Sequence, residues 1–247
     1  MFTPEERDRT RDRVLELARE DPRITGGAVT GSGSAGAEDR WSDIDLAFGV
    51  ADEASPEAVL DDWTQLLTGE LGVIHHWDLR RERTIYRVYL LPGGLELDIA
   101  VTPAAKFGAY GPRFRLMFGE SVERPHSPPP SLDEIVGWGW IYAFTARTAI
   151  ARERPWTAEY WISALRDQAL ALACLRLGEP TDYARGFHRL PSEVVAPYEK
   201  ALVRSLEPAE LRRALGLATQ LFLAEVREHD PELGERLRAP LSDLLPT

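Results

Sequence analysis

The pattern of hydrophobic and polar positions changes about halfway along the 247-residue chain. In the first half, short apolar runs of strand length alternate with amphipathic helical stretches, whereas the second half shows only helical periodicity. Between them, four prolines fall within residues 125–130, where neither a helix nor a central strand can continue. We therefore expect an α+β domain over residues 1–120, a proline-rich linker over 121–131 and an all-α helical-bundle domain over 132–247.

The first half predicts a small mixed sheet with helices around it. Thr3, Pro4 and Glu6 form a helix start signal, and Pro92-Gly93-Gly94 predicts a hairpin turn. Helices are predicted at 3–20 and 56–70, and strands at 24–30, 44–50, 73–79, 84–91 and 95–101.

The second half predicts a bundle of helices. Ser131 and Glu134 resemble a capping box, and Gly178 followed by Pro180 is a typical helix stop. Helices are predicted at 132–152, 157–177, 192–205, 208–229 and 231–245.

Composition and charge narrow the partners that this chain can have. The formal net charge is −11, and an acidic surface repels a phosphate backbone, so we do not expect nucleic acid as a partner. No apolar run approaches the ~18 residues of a membrane span, and the N-terminus lacks a secretory h-region. The lone cysteine, Cys174, allows no internal disulfide. These features predict a cytoplasmic protein without a membrane partner.

The candidate chemistry lies where the first predicted strand ends and the second begins. The first strand runs into Gly31-Ser32, and after a glycine-rich polar stretch Asp43 and Asp45 open the next strand. Residues i and i+2 of a strand share a face, so these two carboxylates point the same way and repel each other unless a cation lies between them. Mg²⁺ is that cation in most phosphate chemistry. Glycines beside Ser32 would let backbone N–H groups approach a phosphate closely.

A third carboxylate is expected on a later strand. Residues 95–101 alternate between apolar and other side chains, which places Glu96 and Asp98 on one face. Asp98 is the preferred candidate because it lies deeper in the strand, away from the turn at Gly93-Gly94. Glu96 remains an alternative.

This arrangement resembles the DNA polymerase β-like nucleotidyltransferase superfamily. Its signature is Gly-Ser, about ten residues, Asp-x-Asp, and a third carboxylate on a later strand. Here ten residues, 33–42, separate Ser32 from Asp43. Gly33-Ser34 repeats the dipeptide, but the family spacing favours Ser32. The order of domains also resembles the aminoglycoside and lincosamide nucleotidyltransferases, although the helical half is similar only in architecture.

The resemblance implies a magnesium-dependent adenylyltransferase. AMP from ATP would pass to a hydroxyl of a small molecule, an aminoglycoside or lincosamide antibiotic among the candidates, with release of pyrophosphate. Gly31 and Ser32 would bind the nucleotide phosphates. Asp43 and Asp45 would bind Mg²⁺, and Asp98 would be a metal ligand, the general base, or both.

Several alternatives remain open at this level. In some antibiotic-modifying relatives the base comes from the helical domain, so Glu159 and Asp167 are further candidates. The chain could instead nucleotidylate a protein partner, as antitoxin-like relatives do, or be a non-catalytic nucleotide-sensing module. The acceptor, the preferred nucleotide and the choice between monomer and homodimer are not determined by the sequence.

Overall fold

The computed structural model describes residues 1–126 and 128–242. The chain divides into two compact units, Met1–Ser127 and Pro128–Thr247. Each unit has its own hydrophobic core, made entirely of residues from that unit.

The first unit is built on a six-stranded mixed sheet. Its strands are β1 Ile24–Thr30, β2 Ile44–Val50, β3 His75–Arg81, β4 Thr84–Leu90, β5 Glu96–Pro103 and β6 Phe114–Gly119. Their spatial order is β3-β4-β5-β2-β1-β6. The neighbours β2 and β5 run parallel, and the other neighbouring pairs are antiparallel.

Three helices accompany the sheet: α1 Pro4–Glu20, the single turn α2 Gly31–Ser34, and α3 Pro56–Leu71. Alternate residues of the central strands, such as Leu46 and Ile99, are fully buried in a core shared with Val14 of α1 and Leu60 of α3. Because strand side chains alternate between faces, the residues between them point to the opposite face. Asp45 and Asp98 lie on that opposite face.

Most predicted elements of the first unit are confirmed. The five predicted strands and both long helices are present, although β3 begins and ends two residues later than expected. Thr3 and Glu6 form the predicted capping box, and a 3₁₀ turn at Pro92–Gly94 joins β4 to β5. Strand β6 and the helical turn α2 were not predicted.

The described part of the second unit is helical, which completes an α+β chain with a C-terminal helical region. Its helices are α4 Leu132–Ala151, α5 Pro155–Leu177, α6 Ser192–Glu199, α7 Pro208–His229 and α8 Pro231–Ser242. Ser131 and Gly178 cap α4 and α5 as predicted. Cys174 lies buried in α5, and burial raises the pKa of its thiol to about 11.

One helix prediction in this unit is wrong in extent. The helix predicted at 192–205 ends at Glu199, because the chain turns there and the Arg213 guanidinium binds the carbonyls of Lys200 and Leu202. The last residues of the helix predicted at 231–245, and Ser127 of the predicted linker, lie outside the described residues. Within residues 1–126 and 128–242, no helix combines the length and the hydropathy that crossing a membrane requires.

Candidate functional site

Two carboxylates lie side by side in the centre of the sheet. Asp45 on β2 and Asp98 on β5 are register partners across the parallel strand pair. Neighbouring strands are about 4.8 Å apart, so both side chains leave the same face next to each other. Asp43 lies one residue before β2 begins, and Glu96 is the first residue of β5. The structure therefore gathers all four predicted carboxylates at one end of this strand pair.

Asp98 is strongly perturbed by its surroundings. Its Oδ1 atom is buried and has no hydrogen-bond partner within the described residues. Burial, followed by the negative charges of Asp45, Glu96 and Asp43, raises the pKa of Asp98 to about 7. A carboxylate in this situation favours a proton or a cation, since either would relieve both the burial and the repulsion.

The turn α2 lies directly against the carboxylate of Asp45. Strand β1 ends at Thr30, and Gly31 adopts the left-handed conformation with φ +57°. A Cβ atom at Gly31 would lie 1.8 Å from Oδ2 of Asp45, so any other residue here would displace the turn or the Asp45 carboxylate. Only glycine brings the backbone this close to the Asp45 carboxylate.

The two Gly-Ser dipeptides of the turn have different surroundings. The Ser34 hydroxyl donates to the Gly31 carbonyl at 2.9 Å, so the second serine stabilises the turn itself. Ser32 is half-buried and follows the glycine that touches Asp45. These positions favour Ser32, rather than Ser34, as the residue available to a ligand.

The turn is also held from both of its sides. Arg115 on β6 donates to the Gly33 carbonyl at 3.2 Å. From the other side, the Glu38 carboxylate lies against Gly33, where an added Cβ would come within 3.1 Å of Oε1. Neither Arg115 nor Glu38 was predicted as part of the site, and the signal that could have found Arg115 is the missed strand β6.

Local hydrogen bonds fix the turn that precedes Asp43. The Asp39 carboxylate accepts from the Trp41 backbone N–H at 2.8 Å and from the Ser42 hydroxyl at 3.1 Å, and Ser42 Oγ accepts from the Asp39 N–H. These bonds lower the pKa of Asp39, with the Trp41 N–H as the largest cause. They form a side-chain-supported turn immediately before the strand that carries Asp45.

The residues present fit a magnesium ion that binds together with phosphates. Within the part of the chain that the structure describes, no three His, Cys, Asp or Glu side chains form a group that could hold a metal by themselves. Mg²⁺ requires fewer protein ligands than that, because it binds through one or two carboxylates plus phosphate oxygens and water. Asp98, whose buried Oδ1 lacks a hydrogen-bond partner, and the adjacent Asp45 supply such a donor set.

The alternative bases belong to the second unit. Glu159 accepts a hydrogen bond from the Ser163 hydroxyl at 2.8 Å, within α5. Burial raises the pKa of Asp167, and Arg166 opposes this from 3.5 Å. Asp167 lines a cavity of about 340 Å³ formed by residues of this unit alone.

Comparison with known proteins gives a structural likeness only. No protein-family model matches the sequence, and no protein of curated function matches it. Among solved structures, the chain is similar to an aminoglycoside 6-adenyltransferase from Bacillus subtilis, with 13% sequence identity and a TM-score of 0.43 over 99% of each chain.

Proposed function

We propose that this protein is a magnesium-dependent nucleotidyltransferase that moves AMP from ATP to a hydroxyl group of a small molecule and releases pyrophosphate. One observation carries the proposal. The partnerless, buried oxygen of Asp98 lies beside Asp45, and Asp45 in turn touches the Gly31 turn. Carboxylates that need a cation thus lie next to a backbone turn that a phosphate could approach.

In the proposed reaction each residue has a separate task. The backbone of Gly31 and the hydroxyl of Ser32 hold the β- and γ-phosphates. Asp45 and Asp98 would hold Mg²⁺, and Asp43, just before β2, would add its negative charge to the site. The bound ion would neutralise the developing charge on the phosphates.

Asp98 also acts as the general base in this proposal. It takes the proton of the acceptor hydroxyl as that oxygen attacks the α-phosphorus, and the bond from the α-phosphorus to the pyrophosphate oxygen breaks. General-base catalysis contributes roughly 10²–10⁴-fold. Glu96, exposed at the start of β5, is the alternative base at the same site.

The charge of the site favours a cationic acceptor. Four carboxylates surround the reacting position, and the whole chain carries a net charge of −11. Such a field attracts a cationic acceptor, and Mg²⁺ would offset its repulsion of the ATP phosphates. We therefore propose an amine-bearing acceptor, with aminoglycoside and lincosamide antibiotics as the first compounds to test.

The experiment measures Mg²⁺-dependent pyrophosphate release from each nucleoside triphosphate, with aminoglycosides, lincosamides and simple polyols as acceptors. We expect release with ATP and one acceptor class. Replacing Asp45 with Asn should lower the rate at least about 100-fold, because charge stabilisation supplies most of the acceleration. Asp52→Asn, a change to an exposed carboxylate beyond the far end of β2, is the matched control and should leave the rate unchanged.

The other outcomes separate the remaining functions. Mg²⁺-dependent ATP binding by calorimetry without turnover on any small acceptor would contradict the proposed acceptor class and favour a protein acceptor. If neither turnover nor ATP binding is found, the protein is not a nucleotidyltransferase, and a non-catalytic interaction module becomes the leading interpretation.

A further inference from the structure

Two arginines of α1 hold the loop that connects the glycine turn to Asp43. The Arg7 side chain is 5% exposed, and its Nη1 donates to the Asp39 carbonyl at 2.5 Å. Arg11 Nη1 binds both oxygens of the Glu38 carboxylate, at 3.2 and 3.1 Å. Arg7 Nε lies 3.5 Å from the same carboxylate. Both arginines also donate to Asp8, which is 45% exposed, so the pairs with Glu38 form the less exposed side of a larger charge cluster.

The Glu38 carboxylate also lies beside the turn α2. It lies against Gly33, at the position where a Cβ atom would be only 3.1 Å from Oε1. Gly33 is buried, and on its other side its carbonyl accepts from Arg115. Ion pairs thus join α1 to Glu38, and the Glu38 carboxylate fills the space beside the Gly33 Cα atom.

Buried ion pairs such as these contribute little net free energy to the stability of a fold. Burying paired charges costs desolvation energy that apolar side chains of similar size would not require, so such pairs are weak evidence for a role in stability. Such pairs do restrict geometry, because two arginines beside one carboxylate define its position closely. The segment they define is the loop between the two halves of the candidate site.

We propose that Glu38, clamped by Arg7 and Arg11, is a positioning residue that fixes the Gly31–Ser34 turn in the geometry that receives the nucleotide phosphates. This inference rests on the proposed function, because it assigns the task of the turn. Glu38 acts through the backbone of Gly33 and does not itself touch the nucleotide.

The same helix offers a matched control. Arg13 of α1 makes a two-point ion pair with Glu70 of α3, with Nε and Nη2 each 2.9 Å from a carboxylate oxygen. This pair joins α1 to α3 and not to the loop that carries the glycine turn. Glu70→Gln thus removes a charge pair from α1 without loosening the turn, although this pair is more exposed, at 40% and 36% against 16% and 15% for Arg11 and Glu38.

The test compares Glu38→Gln with Glu70→Gln by two measurements. Calorimetry of ATP binding in the presence of Mg²⁺ should show about tenfold weaker binding for Glu38→Gln and wild-type affinity for Glu70→Gln. Amide hydrogen exchange should be faster over residues 31–37 in Glu38→Gln alone, with exchange in the interior of α1 unchanged. Should Glu38→Gln fail to fold, Arg11→Met leaves the carboxylate in place with Arg7 and should give the same two effects in weaker form.

Three results would overturn the inference. If Glu38→Gln binds ATP as tightly as wild type, the network has no positioning role, and the proposed function still stands. If both Gln variants weaken ATP binding equally, the effect is a general loss of stability in α1. If the wild-type protein binds no ATP, the proposed function fails and this inference fails with it.

Discussion

At the residue scale, two left-handed glycines near the candidate site are constrained for different reasons. Gly31 has φ +57° and would place a Cβ within 1.8 Å of Asp45 Oδ2, whereas Gly36 has φ +64° with nothing within 4 Å of its Cβ position. We expect Gly31→Ala to abolish nucleotide binding, because either the turn or the Asp45 carboxylate must move. The measurement is calorimetric titration with ATP and Mg²⁺.

Gly36→Ala is the control for backbone strain alone. It should lower the free energy of unfolding by about 1 kcal/mol, the cost of a left-handed alanine, while ATP affinity stays at the wild-type value. Equal losses of affinity in the two variants would show that the backbone conformation, and not the contact with Asp45, determines binding.

The raised pKa of Asp98 makes a prediction about stability in the metal-free protein. Asp98 titrates near pH 7 when folded, and an unfolded aspartate titrates near pH 4, so the folded state holds the proton more tightly. This contribution to stability is complete below pH ~4 and is lost as the pH rises through ~7. Asp98→Asn should therefore exceed wild type in unfolding free energy at pH 8, by roughly 2–4 kcal/mol, and match it near pH 4.

Urea denaturation at pH 4, 6 and 8 would measure this difference. Asp52→Asn changes an exposed carboxylate and should show no comparable gain on going to pH 8. An Asp98→Asn protein that is less stable than wild type at pH 8 would mean that the charged carboxylate has a stabilising partner, contrary to the electrostatics described above.

At the scale of elements, the helices of the second unit depend on one close contact. A Cβ atom at Gly139 of α4 would lie 2.1 Å from the ring of Phe222 on α7, whereas one at Gly137 would meet nothing within 4 Å. Gly139→Ala should lower the melting temperature, at a cost of about 1–3 kcal/mol from overpacking. Thermal unfolding followed by circular dichroism gives this value.

Gly137→Ala lies two residues earlier in the same helix and should have the opposite effect. Replacing glycine by alanine inside a helix stabilises it by up to about 1 kcal/mol when the new methyl group is unobstructed. If Gly139→Ala were also stabilising, α4 and α7 would have to separate without loss, which a close-packed core does not allow.

The elements that the sequence predicts correctly are those with local signals. Helix α1 is marked by the Thr3 capping box and α5 by Gly178, and both begin and end within two residues of the predicted positions. Strand β6 escaped prediction because it is an edge strand whose residues are mostly exposed, so its burial does not alternate. Beyond the early end of α6, the carbonyls of Lys200 and Leu202 accept from Arg213, a distant residue that no local pattern predicts as their partner.

The same distinction applies to the candidate site. Asp43, Asp45 and the Gly31-Ser32 dipeptide are close in sequence, and Asp98 lies on a strand whose alternation is clear. Spacing and periodicity therefore predict that these residues come together, and their roles stay predictions. Arg115 and Glu38 could not be found in this way. Their relevance comes from contacts with Gly33 that exist only after β6 pairs with β1 and α1 packs beside the loop.

At the scale of the whole molecule, the two separate cores predict that the first unit folds alone. Its buried core runs from Val14 to Val101 and is shared by the sheet with α1 and α3, and Phe118 of β6 packs partly buried against it. A domain with its own hydrophobic core can in principle fold without its neighbour. We therefore expect a fragment of residues 1–126 to unfold in a single cooperative thermal transition.

Leu60→Ala tests whether the core of the fragment is the one described. Leu60 is fully buried, so its truncation should cost about 2–5 kcal/mol in the fragment, as in the full chain. A fragment that melts without cooperativity, or that is insensitive to Leu60→Ala, would show that the first unit needs the second in order to fold.

The burial of Cys174 has a practical consequence for spectroscopy. Its thiol is inaccessible, and with a pKa of about 11 fewer than about one in a thousand molecules carries the reactive thiolate at pH ~7.5. A single cysteine introduced on the surface could therefore be coupled selectively to a maleimide dye, with the native cysteine left in place. The wild-type chain comes ready for fluorescence labelling at any exposed position that an experimenter chooses.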